Sequence, residues 1–304
     1  MTNRIVFNEM SNFNELVKNT MGLIDQTKLN KDKDNFLPTY FAELDQKIGG
    51  LERGKITAIV GRPSMWKTLF AMNIVRNIVN TGKPVFVISL SLCKEDWTRC
   101  FISSSANIDD LHKTRVGFLN EEEIKRLHET AQKVSSLPIY VKDENRRLED
   151  IFKTLSDSIK ELKIELVLID GISNIYGNTI QNAKGRGQRY DKQLRLLKEM
   201  ATQWNIPVLI TQGLSRRIER NPYLLIPKHE YGLKEGYLSV HASRILQLYR
   251  EEYYNPKKRN RGVMDIRIPA MGYGECDSSI KVHFDRSSGV VKEYPSMPFN
   301  PKME

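Results

Sequence analysis

The chain has 304 residues, of which 40% are hydrophobic and 28% charged, enough for one large or two small cores and for solubility. No run approaches the ~18 apolar residues of a membrane span, and the start, MTNRIVFNEMSNF, lacks the apolar centre of a secretory signal. A net charge of +10 points toward a polyanionic partner, with a merely solvated basic surface as the alternative.

In chain order, Phe13, Leu16, Val17, Met21 and Ile24 share one face of a helix predicted over residues 13–29. A polar linker, Asn30–Asn35, follows. Such a helix needs a cover for its apolar stripe, from its own domain or from a neighbouring subunit. Beyond it, strand and helix signals alternate. Strands are expected at Lys55–Val60, Pro84–Leu90, Pro138–Val141, Ile164–Asp170 and Pro207–Thr211. Helices are expected at Thr68–Asn80, from about Lys94, and at Glu121–Val134, Leu148–Leu162 and Asp191–Gln203. The last third is β-rich, with strands at Arg244–Tyr249, Val263–Ile268, Ile280–Phe284 and Val290–Tyr294, and a proline-rich tail over residues 295–304. Continuous β-branched runs between helices predict a mainly parallel sheet covered on both faces. Cys93, Cys100 and Cys276 form no CxxC pair, and His112, His128, His229, His241 and His283 show no metal-site spacing. Reduced thiols in a cytoplasmic chain are the expectation.

The chemistry concentrates in Gly61-Arg62-Pro63-Ser64-Met65-Trp66-Lys67-Thr68, which follows a strand and opens a helix. That is the setting of the phosphate loop GxxxxGK[ST]. Backbone N–H groups and the helix N-terminus suit an anion. Lys67 is placed to reach the outer phosphates of ATP and Thr68 to ligate Mg²⁺. Asp170, at the end of the apolar strand IELVLID, suits the metal-side carboxylate. Trp66 stands where the motif has glycine. Two orientations follow for its indole: outward, stacked on a base or a neighbour, or inward, blocking the pocket.

These strings resemble the C-terminal motor domain of DnaB-type replicative helicases, a RecA-like fold, from about Leu37 to Tyr294. The likeness is carried by LPTYFAELDQKIGGLERGKITAIVGRPSMWKT, VFVISLSLCKEDWTR, SSSANID, LVLIDGIS, WNIPVLITQGLSR and LQLYREEYYNP. The organisation expected is an N-terminal segment (1–36) with a linker-type helix, a motor-type domain (37–294) and a loose tail. The resemblance implies nucleotide held between subunits of a hexameric ring that encircles single-stranded DNA. In that scheme Lys67 and Thr68 hold phosphates and Mg²⁺, Asp170 holds the metal, and Gln212 is the γ-phosphate sensor. Helix 13–29 docks on the adjacent subunit, and replication proteins such as a helicase or its loader become possible partners in a bacterial, plasmid or phage setting. Two basic stretches would face DNA. One is a loop around Asn182–Arg195, with Lys184, Arg186, Arg189, Lys192 and Arg195. The other follows Gln212, with Arg216, Arg217, Arg220 and Lys228. A third cluster, Lys257, Lys258, Arg259 and Arg261, reads as a solvated loop.

Departures from the family are as informative. Its water-polarising glutamate is Ser91 here, and a hydroxyl cannot act as a carboxylate base at neutral pH. Its K-x-R-N-G finger loop aligns with Pro269–Gly274, which puts Ala270 and Gly272 at the two basic positions. The acidic string before the LxLYR strand is replaced by Leu238-Ser239-Val240-His241-Ala242-Ser243. Together these predict ATP hydrolysis weakened or lost. Two readings remain: a reduced ring helicase, or a catalytically inactive DnaB-like accessory protein that binds DNA, a helicase or its loader.

Overall fold

The computed structural model describes residues 13–30, 35–144, 147–176, 186–214, 237–255, 261–270 and 277–294. Two units are separable, Met1–Phe36 and Leu37–Glu304. In the first, α1 (Phe13–Asn30) is a single helix on which Phe13, Leu16, Val17 and Met21 are exposed. The predicted stripe is therefore present over its first three turns, while the side chain of Ile24 lies outside the described residues.

Where the second unit starts, two-residue strands β1 (Phe36–Leu37) and β2 (Leu51–Glu52) flank α2 (Ala42–Ile48). The main strands are β3 (Ile56–Gly61), β4 (Val85–Ser89), β5 (Ile139–Lys142), β6 (Leu166–Asp170), β7 (Val208–Gly213), β8 (Arg244–Tyr249), β9 (Val263–Ile268), β10 (Ser278–Phe284) and β11 (Val291–Glu293). They form one nine-stranded sheet in the order β11-β10-β9-β8-β3-β7-β6-β4-β5. From β5 to β8 every neighbouring pair is parallel. From β8 to β11 the pairs are antiparallel. The expected mainly parallel sheet with a β-rich C-terminal extension is what the chain builds.

Helices α3 (Lys67–Val79), α4 (Lys94–Ser105), α5 (Lys113–Val116), α6 (Glu121–Val134), α7 (Leu148–Leu162), α8 (Arg186–Trp204), α9 (Tyr237–His241) and α10 (Glu251–Tyr254) complete the described elements. The strand pleat splits the core into two layers. Ile59, Val85, Val87, Leu166 and Leu168 face a cluster with Phe70, Ile74 and Ile78 of α3 and Trp97 of α4. Ile56, Ala58, Val60, Phe86, Ile88, Val167 and Ile169 face a second cluster with Leu148, Ile151 and Leu155 of α7 and Leu194, Leu197 and Ala201 of α8. Residues one apart point to opposite faces, and both faces are covered, hence the uninterrupted apolar runs.

Local signals set the ends of several helices. Asn120 and Glu123 form a reciprocal capping box at the start of α6. Lys163 closes α7 in the left-handed conformation. One boundary corrects the sequence reading: α8 begins at Arg186 rather than Asp191, because the glycine and charges of Arg186–Arg189 do not break the helix. Arg186, Arg189, Lys192 and Arg195 consequently belong to a helix and not to a loop.

Candidate nucleotide site

The parallel register brings the polar residues to one end of the sheet. Gly61 is level with Gly213, Val60 with Gln212, Ser89 with Asp170, and Asp170 with Thr211. Ligands of open α/β sheets bind in the crevice beyond these carboxyl ends. The phosphate loop leaves β3 at Gly61 and enters α3 at Lys67.

On one flank of the loop lies a carboxylate held by hydroxyls. The Thr68 hydroxyl donates to both oxygens of Asp170 at 3.0 Å, and the Thr211 hydroxyl donates to Oδ1 at 2.6 Å. Asp170 is fully buried. Burial pushes its pKa up, and the Thr211, Thr68 and Ser91 hydroxyls and the Lys67 charge pull the other way. The Lys67 ammonium donates to the carbonyl of Arg62, inside the loop, at 2.9 Å. Burial lowers its pKa, which the Asp170 charge partly opposes. A half-buried ammonium resting on the loop's own carbonyl, beside a buried carboxylate with two hydroxyl neighbours, is a donor set that fits a phosphate chain with its Mg²⁺.

Ser91 sits just past β4, exposed, with its hydroxyl 3.4 Å from the Asp170 carbonyl oxygen. Gly171 takes φ +93°, and a Cβ there would lie 2.4 Å from the Ser91 hydroxyl oxygen. Both the backbone conformation and the close approach favour glycine at that corner. Gln212 accepts from the Ser173 hydroxyl at 3.1 Å and donates to the Gly213 carbonyl at 3.0 Å. The Gly171 N–H donates to Thr211 Oγ1 at 2.8 Å, tying the β6 corner to β7.

On the other flank the loop is gripped by aromatics and arginines. Trp66 has φ 62°, ψ 32°, and Ser64 has φ 64°. A non-glycine residue in this left-handed region costs about 1–2 kcal/mol. The indole meets Phe284 of β10 edge-on, with ring centroids 4.8 Å apart. The Arg250 guanidinium lies 4.8 Å from the Trp66 ring and 4.4 Å from the Phe284 ring. Aromatic and desolvated cation–π contacts of this kind contribute roughly 0.5–2 kcal/mol each, enough to offset the strain. Arg250 also donates to the Ser64 carbonyl at 2.7 Å and to Glu252 at 2.6 Å. Burial lowers the Arg250 pKa, and the Glu252 carboxylate counters it. Burial alone would raise that of Glu252, but the Arg250 hydrogen bond, the Gly262 N–H and the arginine charges together hold it low. Arg62, 2% exposed, donates to the Tyr254 hydroxyl at 3.1 Å. Of the two orientations open to Trp66, the half-buried indole is turned onto Phe284 and Arg250.

Loop residues Gly61 to Thr68, with Ser91, Asp170 and Gln212, thus gather at one end of the sheet. Of the basic residues, Arg189 and Arg195 are exposed on α8, and Arg195 pairs with Glu199 at 3.8 Å. The side chain of Arg186, together with Lys184, Arg216, Arg217, Arg220 and Lys228, lies outside the described residues, as do Lys257, Lys258, Arg259 and Gly272. The backbone N–H of Ala270 donates to Asp277 at 2.8 Å. Sequence reasoning missed Thr211, Arg250 and Phe284. A hydroxyl one residue before Gln212, on the strand paired with Asp170, was a usable signal for the first. Nothing in the sequence links Trp66 to residues 184 and 218 positions away.

A phosphate loop on the central strand, a buried carboxylate one strand beyond the next, and the strand order around them define a RecA-like P-loop domain. The chain belongs to the DnaB-like helicase C terminal domain family, which it matches over residues 37–290. It is 32% identical over 236 residues to a probable replicative DNA helicase of Trieres chinensis, covering 76% of this chain and 50% of that one. It is 27% identical over 285 residues to the replicative DNA helicase DnaC of Bacillus subtilis strain 168, covering 93% of this chain and 61% of the relative. The chain therefore spans about half to three fifths of the length of these relatives. A solved DnaB-like replicative helicase superposes with a TM-score of 0.82 at 21% identity, over 94% of this chain and 68% of that one, a likeness of fold. Among the described residues no helix is long and apolar enough to cross a membrane.

Proposed function

We propose that this chain serves DNA replication as a DnaB-like helicase-domain protein that binds nucleotide with Mg²⁺ and single-stranded DNA in a ring-type oligomer, with ATP hydrolysis weakened or lost. One observation carries the reading. Thr68, Asp170 and Lys67 are assembled around the loop, while the position of the family's catalytic glutamate is filled by the short Ser91 hydroxyl beside the Asp170 carbonyl.

In this reading Lys67 leaves the Arg62 carbonyl for the outer phosphates, and Thr68 and Asp170 hold the metal side. Bound Mg²⁺ and nucleotide supply the transferable phosphoryl group and the charge that screens it. Gln212, bonded to Ser173 between β6 and β7, is the residue placed to sense the phosphate end. Water activation has no carboxylate at Ser91, and Ala270 and Gly272 carry no charge to stabilise the departing phosphoryl group. Residues 1–36 form the linker segment, 37–294 the motor-type domain and 295–304 a tail. The exposed face of α1 is the joint between subunits. Lys184, Arg186, Arg189, Arg216, Arg217 and Arg220 contact the DNA backbone.

The test is ATP binding and turnover measured with and without single-stranded DNA, in the full chain and in Lys67→Ala. The expected result is Mg²⁺-dependent nucleotide binding that Lys67→Ala weakens about a hundredfold, with turnover far below that of a replicative helicase. Rapid DNA-stimulated turnover lost in Lys67→Ala would overturn the weakened-ATPase part. Ser91, Ala270 and Gly272 favour a second reading, an inactive accessory protein that docks on a helicase or its loader. Co-migration with a full-length DnaB-type hexamer, without DNA binding of its own, would select it.

A further inference from the structure

Trp66 is a strained residue whose ring is seated on a prepared surface. Its indole meets the Phe284 ring in a T-shaped contact and the guanidinium of Arg250, which itself lies 4.4 Å from the Phe284 ring. Arg250 is 4% exposed, and its Nε has no hydrogen-bond partner among the described residues. The rings, rather than a full set of polar partners, occupy that side of the guanidinium. The same arginine donates to the Ser64 carbonyl, so this surface is tied to the phosphate loop itself.

Arginine planes and aromatic rings are the groups on which proteins stack nucleobases. An indole and a purine are both flat, fused five- and six-membered rings. A nucleotide whose phosphates lie in the loop has its base to place on a nearby flat surface, and here that surface already holds a fused ring.

We propose that the Trp66 indole is an internal occupant of the base-stacking surface formed by Arg250 and Phe284, so that this chain recognises the polyphosphate of a nucleotide and not its base. The inference rests on the nucleotide reading above. Any base reaching these faces must displace the indole and forfeit its contacts, so the base adds nothing net to the binding free energy. Wild-type affinity is then indifferent to the base, and it is Trp66 that makes it so.

The experiment is calorimetric titration of the full chain with ATP and with inorganic tripolyphosphate, each with Mg²⁺. Trp66→Gly and Trp66→Asn are compared with the wild type, both residues tolerating the left-handed backbone. Circular dichroism checks that each variant is folded. Wild type is expected to bind the two ligands within about threefold of each other. Both variants should gain roughly tenfold for ATP, the lower part of what one stacked base contributes, and under about threefold for tripolyphosphate. Equal gains for both ligands would mean that the indole acts on the loop and not in place of a base, which overturns the proposal. So would no gain in either variant, or a wild type that prefers ATP by about tenfold. If no form binds either ligand, the nucleotide reading falls with it, whereas binding without this selectivity sinks only the inference about Trp66.

Discussion

The two flanks of the phosphate loop are built on opposite principles. Toward β6 and β7 the contacts are short polar bonds from Thr68 and Thr211 to Asp170 and from Lys67 to the Arg62 carbonyl, around groups that burial leaves electrostatically costly. Toward β8 and β10 the contacts are rings and a guanidinium, and they hold two residues in a backbone region that side chains avoid. The first flank gathers a lysine and an aspartate whose opposite charges partly offset the cost of their burial. The second commits its contacts to stabilising the loop as it stands.

Breaking the aromatic flank has the largest expected effect on stability. Arg250→Met leaves Glu252 buried with one distant cation, Arg286 at 3.7 Å, and frees the Ser64 carbonyl. Removing one partner of a buried pair costs about 3–5 kcal/mol, to be read as a fall in the urea midpoint. On the polar flank, Lys67→Ala is expected to weaken Mg²⁺–ATP binding by about a hundredfold, or about 2.7 kcal/mol, with little change in thermal stability. Calorimetry and a melting curve on the same sample separate the two effects.

Asp170→Asn sharpens the contrast further. Burial raises the Asp170 pKa, so the folded state binds a proton more readily than the unfolded chain. Stability associated with this group is then greatest below the unfolded value near 3.8 and declines as pH rises through the raised folded pKa. At neutral pH the buried charge is a cost, and asparagine removes it. The expectation is a higher melting temperature together with loss of Mg²⁺-dependent binding. A variant that melts lower would show the hydroxyl bonds outweighing burial.

The smallest effect falls outside both flanks. Arg189→Gln and Arg195→Gln on α8 should each reduce single-stranded DNA affinity about two- to threefold and lower the salt slope by about 0.7, without altering nucleotide binding.

Much of this fold was legible because its signals are local. The runs KITAIV, PVFVISL and IELVLID are continuous because both sheet faces are covered, and α7 declares itself through buried Leu148, Ile151, Leu155 and Ile159. The short helices α2, α5, α9 and α10 escaped notice because so few residues carry too little periodicity, and the start of α8 was obscured by Gly187. The polar flank was readable from the loop motif and the strand-end aspartate. The aromatic flank was not, since Trp66, Arg250 and Phe284 meet only through the β8–β9–β10 pairing. Trp66 itself was visible as an exception, but its orientation depends on partners that no spacing reveals.

The ends of the nine-stranded sheet have a consequence for how copies of this chain can associate. At one border β5 is four residues long and ends in Lys142; at the other β11 is three residues long, with Lys292 and Glu293 exposed. Short, charged borders present little unpaired backbone for another copy to zip onto. Growth of the sheet from molecule to molecule, the route to fibrils, is thereby discouraged. The oligomer proposed above would then rest on helical and loop surfaces, which can close on themselves and stop.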